Sequence, residues 1–136
     1  YDPRNSFLPW VLRSRRGIPI TLSLVYKLVA ERVGLAVDGL NSPGHFLVET
    51  RVGDEAMIVD PFHGGNMLSS KEALELVRQV TGQEEISLES LMKPTTHRQW
   101  IARILANLLH VFSMQNHVNH IGAMSELYDL LKGVHP

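Results

Sequence analysis

The chain has 136 residues, of which 44% are hydrophobic and 20% are charged. Its 13 Lys and Arg residues nearly balance its 14 Asp and Glu residues, which leaves a net charge of −1. This length and composition are enough for one domain with a hydrophobic core, so we predict a single domain over residues 1–136. Balanced charge argues against a nucleic-acid groove or a basic membrane-binding patch, and we expect neither partner.

The sequence contains no cysteine. Disulfides, thiolate metal sites and cysteine nucleophiles are therefore excluded, and a reducing compartment such as the cytoplasm is the expected location. The seven histidines do not show a recognised metal-ligand spacing, so we expect no metal and no other cofactor. His117 and His120 are three residues apart, but no carboxylate accompanies them at ligand spacing.

Hydrophobic periodicity predicts two helices in the first quarter of the chain. A short helix is expected over Asn5–Arg13. A second, central helix is expected over Pro19–Gly34, because proline suits the first helical position and glycine suits the end. Leu24 and Leu28 lie on the hydrophobic stripe of this central helix.

The periodicity then changes from helical to alternating. Leu35–Leu40 is expected to be extended, and His45–Val52 and Ala56–Val59 are expected to form a pair of antiparallel strands. A glycine-rich loop is predicted over Phe62–Asn66. The core predicted between the central helix and these strands contains Leu24, Leu28, Phe46, Val48 and Ile58.

The rest of the sequence is predicted to be helical. The expected helices cover Lys71–Val80, Leu88–Met92, Thr96–Gln115 and Val118–Leu131. Ser70 and Ser87 are the expected caps of the first two, and Thr96 is expected to open the third. The fold class is therefore α+β, with a small antiparallel sheet followed by a helical part over residues 96–136.

Three places in this arrangement could support catalysis. His45 is expected at the start of one strand, Asp60 at the end of the next, and Pro19 at the amino end of the central helix. A nucleophile at a helix amino end, activated by a histidine that a carboxylate orients, is a common enzymatic arrangement. A single histidine near a strand start is more often structural, so spacing alone leaves both interpretations open.

Four motifs occur in order along the chain: YDPRNSFL at 1–8, RRGIPITLSL at 15–24, PGHFLV at 43–48 and VDPFHGG at 59–65. Together they resemble the SirB-type branch of the transglutaminase-like superfamily over nearly the whole chain. The resemblance implies a papain-like core with a central helix against a small antiparallel sheet. The later segment RILANL at 103–108 is similar to the family's helical tail, which resembles tetratricopeptide-type helix pairs in longer members.

The same resemblance implies where a catalytic site would lie. The family's cysteine, two residues after a glycine, aligns with Pro19, and its His and Asp align with His45 and Asp60. The His–Asp pair is present while the nucleophile is missing, which argues against transglutaminase or cysteine-protease chemistry. Ser23 lies on the Pro19 face one turn further on, and Thr21 faces away. A packing role for Ser23, with its hydroxyl bonded to the i−4 carbonyl, is the simpler interpretation.

Three functions remain open from the sequence. The favoured one is a non-catalytic domain, or pseudoenzyme, that binds a peptide or protein partner in a cleft with His45, Asp60 and Phe62. Ser23 and His63 are further possible cleft residues, although His63 is equally interpreted as a turn residue. The alternative is a hydrolase or acyltransferase that uses Ser23, Thr21 or an activated water with the His–Asp pair. In the third, the pair only supports the fold, and the function lies on the carboxy-terminal helices.

Overall fold

The computed structural model describes residues 2–133. Within these residues the fold is α+β, with six α-helices and a five-stranded antiparallel sheet. These residues form two compact units, one over residues 17–95 and one from residues 2–16 together with 96–133. The second boundary coincides with the predicted start of the helical tail, and the grouping of 1–136 as one domain stays a prediction.

The helices are α1 (Leu8–Ser14), α2 (Pro19–Arg32), α3 (Ser70–Thr81), α4 (Leu88–Leu91), α5 (His97–Met114) and α6 (Val118–Leu131). The strands are β1 (Ala36–Leu40), β2 (Val48–Val52), β3 (Glu55–Asp60), β4 (Asn66–Leu68) and β5 (Pro94–Thr95). The strand order is β4-β3-β2-β1-β5, and every neighbouring pair is antiparallel. The two short strands β4 and β5 therefore form the edges of the sheet.

Helix α2 is attached to the sheet by polar side chains. The Tyr26 hydroxyl lies 3.1 Å from the Thr50 hydroxyl on β2. The buried Lys27 ammonium donates to the carbonyl of Val37 on β1. The folded protein loses stability when a buried polar group loses its hydrogen-bond partner, so these bonds hold the helix in one position on the sheet.

The predicted single core is wrong at two positions. Leu28 is 46% exposed, because α2 buries Lys27 and Ala30 instead. Ile58 lies on the opposite face of the sheet from Val48, since Val48 pairs with Val59 and neighbouring side chains alternate between faces. The core cluster that contains Ile58 is covered by α3 and α4 and consists of Leu40, Leu47, Ile58, Ala73, Val77 and Leu91.

The predicted elements lack the short strands β4 and β5, and the remaining differences lie at the ends of elements. β2 begins at Val48 rather than His45, because the Leu47 N–H donates to the Ser42 hydroxyl, 2.9 Å away, and residues 41–47 form a loop. The cap of α3 is Ser69 rather than Ser70.

At the amino end, a 3₁₀ turn over Pro3–Ser6 precedes α1, which begins at Leu8 rather than Asn5. The helices α4, α5 and α6 agree with prediction to within about two residues at each end, a common uncertainty for helix ends. Ser87 caps α4 as predicted, and Thr96, the predicted start of the next helix, is the cap of α5.

Within the described residues, the unit that contains α1, α5 and α6 has helices and no strand. The Arg98 guanidinium at the start of α5 donates to the Leu131 carbonyl at the end of α6, at 2.6 Å, so the two helices are antiparallel neighbours. The buried residues of α5 are Trp100, Leu105, Leu108 and Phe112. Between residues 2 and 133, none of the helices has the length and hydropathy of a membrane span.

Candidate functional site

His45 lies in the loop of residues 41–47 between β1 and β2, and its side chain is buried. The preceding Gly44 has a φ of +75°, a backbone conformation that glycine adopts without strain. A Cβ atom at Gly44 would lie only 3.0 Å from the Val80 side chain and 3.1 Å from that of Thr81. The close approach of the end of α3 therefore requires glycine immediately before His45.

Asp60 is the last residue of β3 and the cap of the 3₁₀ turn Pro61–His63. Its Oδ1 accepts the backbone N–H of Phe62 at 3.1 Å and that of His63 at 3.3 Å. The carboxylate is fully buried, so these amides offset part of its desolvation and hold its orientation. The sequence Asp-Pro at the end of the strand produces this cap, because proline starts the turn without an N–H to satisfy.

The structure brings His45, Asp60 and His63 into contact, and we call these three residues the His–Asp–His cluster. The Nε2 atom of His45 lies 2.9 Å from each carboxylate oxygen of Asp60. The Nδ1 atom of His63 lies 2.7 Å from Asp60 Oδ2. One buried carboxylate thus accepts hydrogen bonds from two imidazole rings.

The rings around the cluster also pack on one another. The rings of His45 and His63 are nearly parallel, with centroids 5.1 Å apart. Phe62 presents its ring edge-on to His45 at 5.6 Å and remains 43% exposed. The side chain of His63 is 52% exposed, so the cluster is buried at His45 and Asp60 and open to solvent at His63.

The pKa of Asp60 lies below its ordinary value of 3.8. Burial alone raises the pKa of this carboxyl, but hydrogen bonds from His63 and His45, together with the charge of His45, outweigh burial. Asp60 is therefore ionised at neutral pH, and both histidine nitrogens that face it act as donors.

Pro19 is the first residue of α2, with Ile18 as the cap. The Thr21 hydroxyl accepts the Ile18 N–H and donates to the Ile18 carbonyl, both at 3.2 Å. The buried Ser23 hydroxyl donates to the Phe46 carbonyl at 3.5 Å, so the predicted bond to its own i−4 carbonyl is wrong. These hydroxyls connect α2 to neighbouring backbone.

A cavity of about 340 Å³ opens beside the cluster, between β4 and α3. Its lining includes Asp60, His63, Asn66, Glu72, Glu75 and Gln79. Sequence reasoning missed the last four, because β4 is only three residues long and the acidic side chains are typical of the solvent face of a helix. On β4 itself, Met67 is 67% exposed.

The structure thus places the predicted residues His45, Asp60, Phe62 and His63 together. Helix α2 contacts the turn Pro61–His63 that carries two of them. Ser23, predicted as a possible cleft residue, is fully buried against the backbone of Phe46. The catalytic or binding roles of these residues stay predictions.

Residues 1–106 match a family model described as the transglutaminase-like superfamily. Over 119 residues the chain is 42% identical to a UPF0162 protein of Xylella fastidiosa, and this match covers 85% of this chain and 42% of that protein. Over 112 residues it is 30% identical to a UPF0162 protein of Pseudomonas aeruginosa, covering 82% and 40% respectively. It is also 34% identical over 87 residues to mouse F-box only protein 21, covering 58% of this chain and 14% of that protein.

The chain thus spans about two-fifths of the length of the two UPF0162 relatives, at 42% and 40%. No solved structure matches it.

Proposed function

The chain belongs to the transglutaminase-like superfamily, and because it contains no cysteine, we propose that it is a non-catalytic member that binds a peptide or protein segment. The observation that carries the proposal is proline at position 19, where the resemblance places the nucleophile. Proline has no side-chain proton for His45 to remove. The four motifs support a finer placement in the SirB-type branch.

The bonds of the nearby hydroxyls support the same conclusion. A substitute nucleophile must lie within hydrogen-bond reach of its base. Instead, Thr21 bonds the backbone of its own helix cap, and Ser23 donates to the Phe46 carbonyl. Both hydroxyls act as structural groups at the positions where an alternative serine or threonine enzyme would need them free to react.

The surface beside the cluster supports binding of an extended segment. β4 is an edge strand, and an extended peptide can pair with such an edge through its main chain. Phe62 and Met67 offer exposed apolar surface near this edge, and the cavity of about 340 Å³ lies between β4 and α3. We therefore place the peptide along β4, with side chains in the cavity.

Balanced charge, at −1 for the chain, favours a protein or peptide partner over nucleic acid or an anionic membrane. The absence of cysteine favours the cytoplasm, where thiols are reduced and disulfides are rare. The protein or peptide partner and the cytoplasmic location are both part of the proposal.

Binding is tested by selecting peptides from a displayed random library and measuring the affinity of the selected peptides. Replacing Phe62→Ala is expected to weaken binding about tenfold, the effect of losing about 1.4 kcal/mol at an interface anchor. The matched control is Val52→Ala on β2, which is 46% exposed against 43% for Phe62. Equal affinity in both variants, or a library that yields no binder, would contradict the proposal.

Catalysis is tested separately, by following ammonia release from a glutamine peptide in the presence of an amine acceptor. We expect no turnover by the natural protein. Turnover that disappears in His45→Ala would instead support the alternative, a hydrolase or acyltransferase that uses a hydroxyl or an activated water with the His–Asp pair.

A further inference from the structure

We propose that the His–Asp–His cluster binds a divalent transition-metal ion of the zinc type. The sequence alone predicts no metal site, since the histidines show no ligand spacing along the chain. Folding brings together the loop before β2 and the turn after β3, and with them one donor atom each from His45, Asp60 and His63. Metal binding here does not require that a peptide also binds.

The spacing of the three donor atoms is close to that of a metal site. All three lie within 4.8 Å of one another. Zinc bonds nitrogen and carboxylate oxygen at about 2.0–2.2 Å, so ligand atoms around it lie roughly 3–3.5 Å apart. The two nitrogen–oxygen distances, 2.9 Å from His45 and 2.7 Å from His63, need to lengthen by only a few tenths of an ångström.

The donor set selects the class of metal. Two imidazoles and one carboxylate are the protein ligands of catalytic zinc sites and of non-haem iron(II) sites, which keep further positions open. Magnesium and calcium prefer oxygen ligands and are not expected to compete. Asp60 and His63 both line the cavity beside β4, so water or a ligand atom can reach a metal ion that they hold.

The surroundings of the ligands support the site. The Phe62 and His63 amides bond Asp60 Oδ1, the kind of outer contact that orients a ligating carboxylate. The other oxygen, Oδ2, faces the exchangeable imidazole protons of His45 and His63, at 2.9 and 2.7 Å. A metal ion can take their place when each neutral ring carries its proton on the other nitrogen.

One side chain must move to complete the site. The rings of His45 and His63 are 12° from parallel, so their nitrogen lone pairs do not yet meet at one point. Turning His63 about its side-chain bonds corrects this, and its 52% exposed side chain leaves room to turn. The turn ends at Gly64 and Gly65, which follow His63 directly and have φ of +69° and +76°. Neither glycine has a side chain.

The test is zinc titration of the purified protein after treatment with a chelator, by calorimetry, with Co²⁺ as a second probe. We expect one zinc ion per chain and a visible Co²⁺ absorption typical of mixed nitrogen and oxygen ligands. His63→Ala is expected to weaken zinc binding at least about tenfold, because even outer-shell changes cost 10–100-fold. His63 is exposed, so this variant is expected to fold, which circular dichroism checks.

The matched control is the double variant His117→Ala and His120→Ala, whose rings lie 5.4 Å apart on the helical unit. It is expected to leave the affinity unchanged. Any of three results would overturn the proposal and leave the cluster as a hydrogen-bonded group only. These are no zinc binding by the natural protein, equal zinc affinity in His63→Ala and the natural protein, or loss of zinc binding in the double variant. Peptide affinity measured with chelator present is a separate result and tests only the binding proposal.

Discussion

Asp60 is the residue on which the hydrogen bonds of the site converge. Its two oxygens accept the amides of Phe62 and His63 and the ring nitrogens of His45 and His63. A charged acceptor with several donors is stronger than a neutral one, and removing it leaves buried donors unsatisfied. The stability of the loop and turn around the cluster therefore depends on the charge of one carboxylate.

Replacing Asp60→Asn is expected to lower the free energy of unfolding by about 1–3 kcal/mol at neutral pH, because buried donors lose a charged acceptor. Since folding lowers the pKa of Asp60, its contribution is complete above the unfolded value of 3.8 and is lost as pH falls through the lower folded value. The difference between the two proteins should therefore shrink in acid.

Urea unfolding from about pH 7 to pH 2, with chelator present, measures this dependence. Asp54→Asn, at an exposed position in the turn between β2 and β3, serves as the control and is expected to change stability by less than about 0.5 kcal/mol. A difference for Asp60→Asn that stays constant over the whole pH range would contradict the prediction.

At the scale of elements, the loop of residues 41–47 depends on its contact with α3. Gly44 and Gly34 both have positive φ, +75° and +88°, but only at Gly44 would a Cβ meet another side chain within 4 Å. We expect Gly34→Ala to cost about 1 kcal/mol from backbone strain alone. Gly44→Ala is expected to cost about 2–4 kcal/mol, because overpacking against Val80 adds to the same strain.

Chemical denaturation of the two variants measures the difference, and Val80→Ala combined with Gly44→Ala should recover part of it. Equal costs for Gly34→Ala and Gly44→Ala would show that α3 yields to the added methyl group. In that case the loop that carries His45 would not be held by helix packing.

Elements with strong periodicity or clear caps could be predicted from sequence. α5 and α6 follow long hydrophobic repeats, and the predicted start of α5 at Thr96 is the cap residue, whose hydroxyl accepts the Gln99 N–H. β4 and β5 could not be predicted, because strands of three and two residues contain too little alternation to distinguish them from loops. The side of the sheet that Ile58 faces depends on strand register, which only the folded structure determines.

The candidate site, like the fold, could be predicted only in part from the sequence. His45 and Asp60 could be named because whole motifs resemble a family, and their contact is now seen at 2.9 Å. The position of His63 on the same carboxylate depends on the 3₁₀ turn after Asp60. Sequence spacing alone leaves its role undecided between the cleft and an ordinary turn residue.

At the scale of the whole molecule, the site combines three separate stretches of the unit 17–95: the start of α2, the loop before β2 and the turn after β3. Helix α2 contacts that turn, and Ser23 contacts the backbone next to His45. If this assembly keeps the geometry of a nucleophilic site, a thiol at position 19 should be activated by it.

Pro19→Cys restores that thiol at the first position of α2. If the site keeps its geometry, the helix dipole and His45 are both expected to favour its thiolate form, which is the reactive form. The matched control is Ser70→Cys, because Ser70 is likewise the first residue of a helix, α3. It has the helix dipole, but at the start of α3 rather than of α2, the helix on which the resemblance places the nucleophile. With no other cysteine in the chain, labelling by a thiol reagent reports on the introduced residue alone.

The thiol introduced by Pro19→Cys is expected to react faster than the control thiol, and adding His45→Ala should bring its rate down to the control's. Rates measured over a range of pH separate a shifted thiol pKa from simple accessibility, since only the former changes the midpoint of the profile. Equal midpoints in the two cysteine variants would mean that α2 and His45 no longer have catalytic geometry. A lower midpoint that depends on His45 would mean that the domain keeps the arrangement of a cysteine enzyme around position 19.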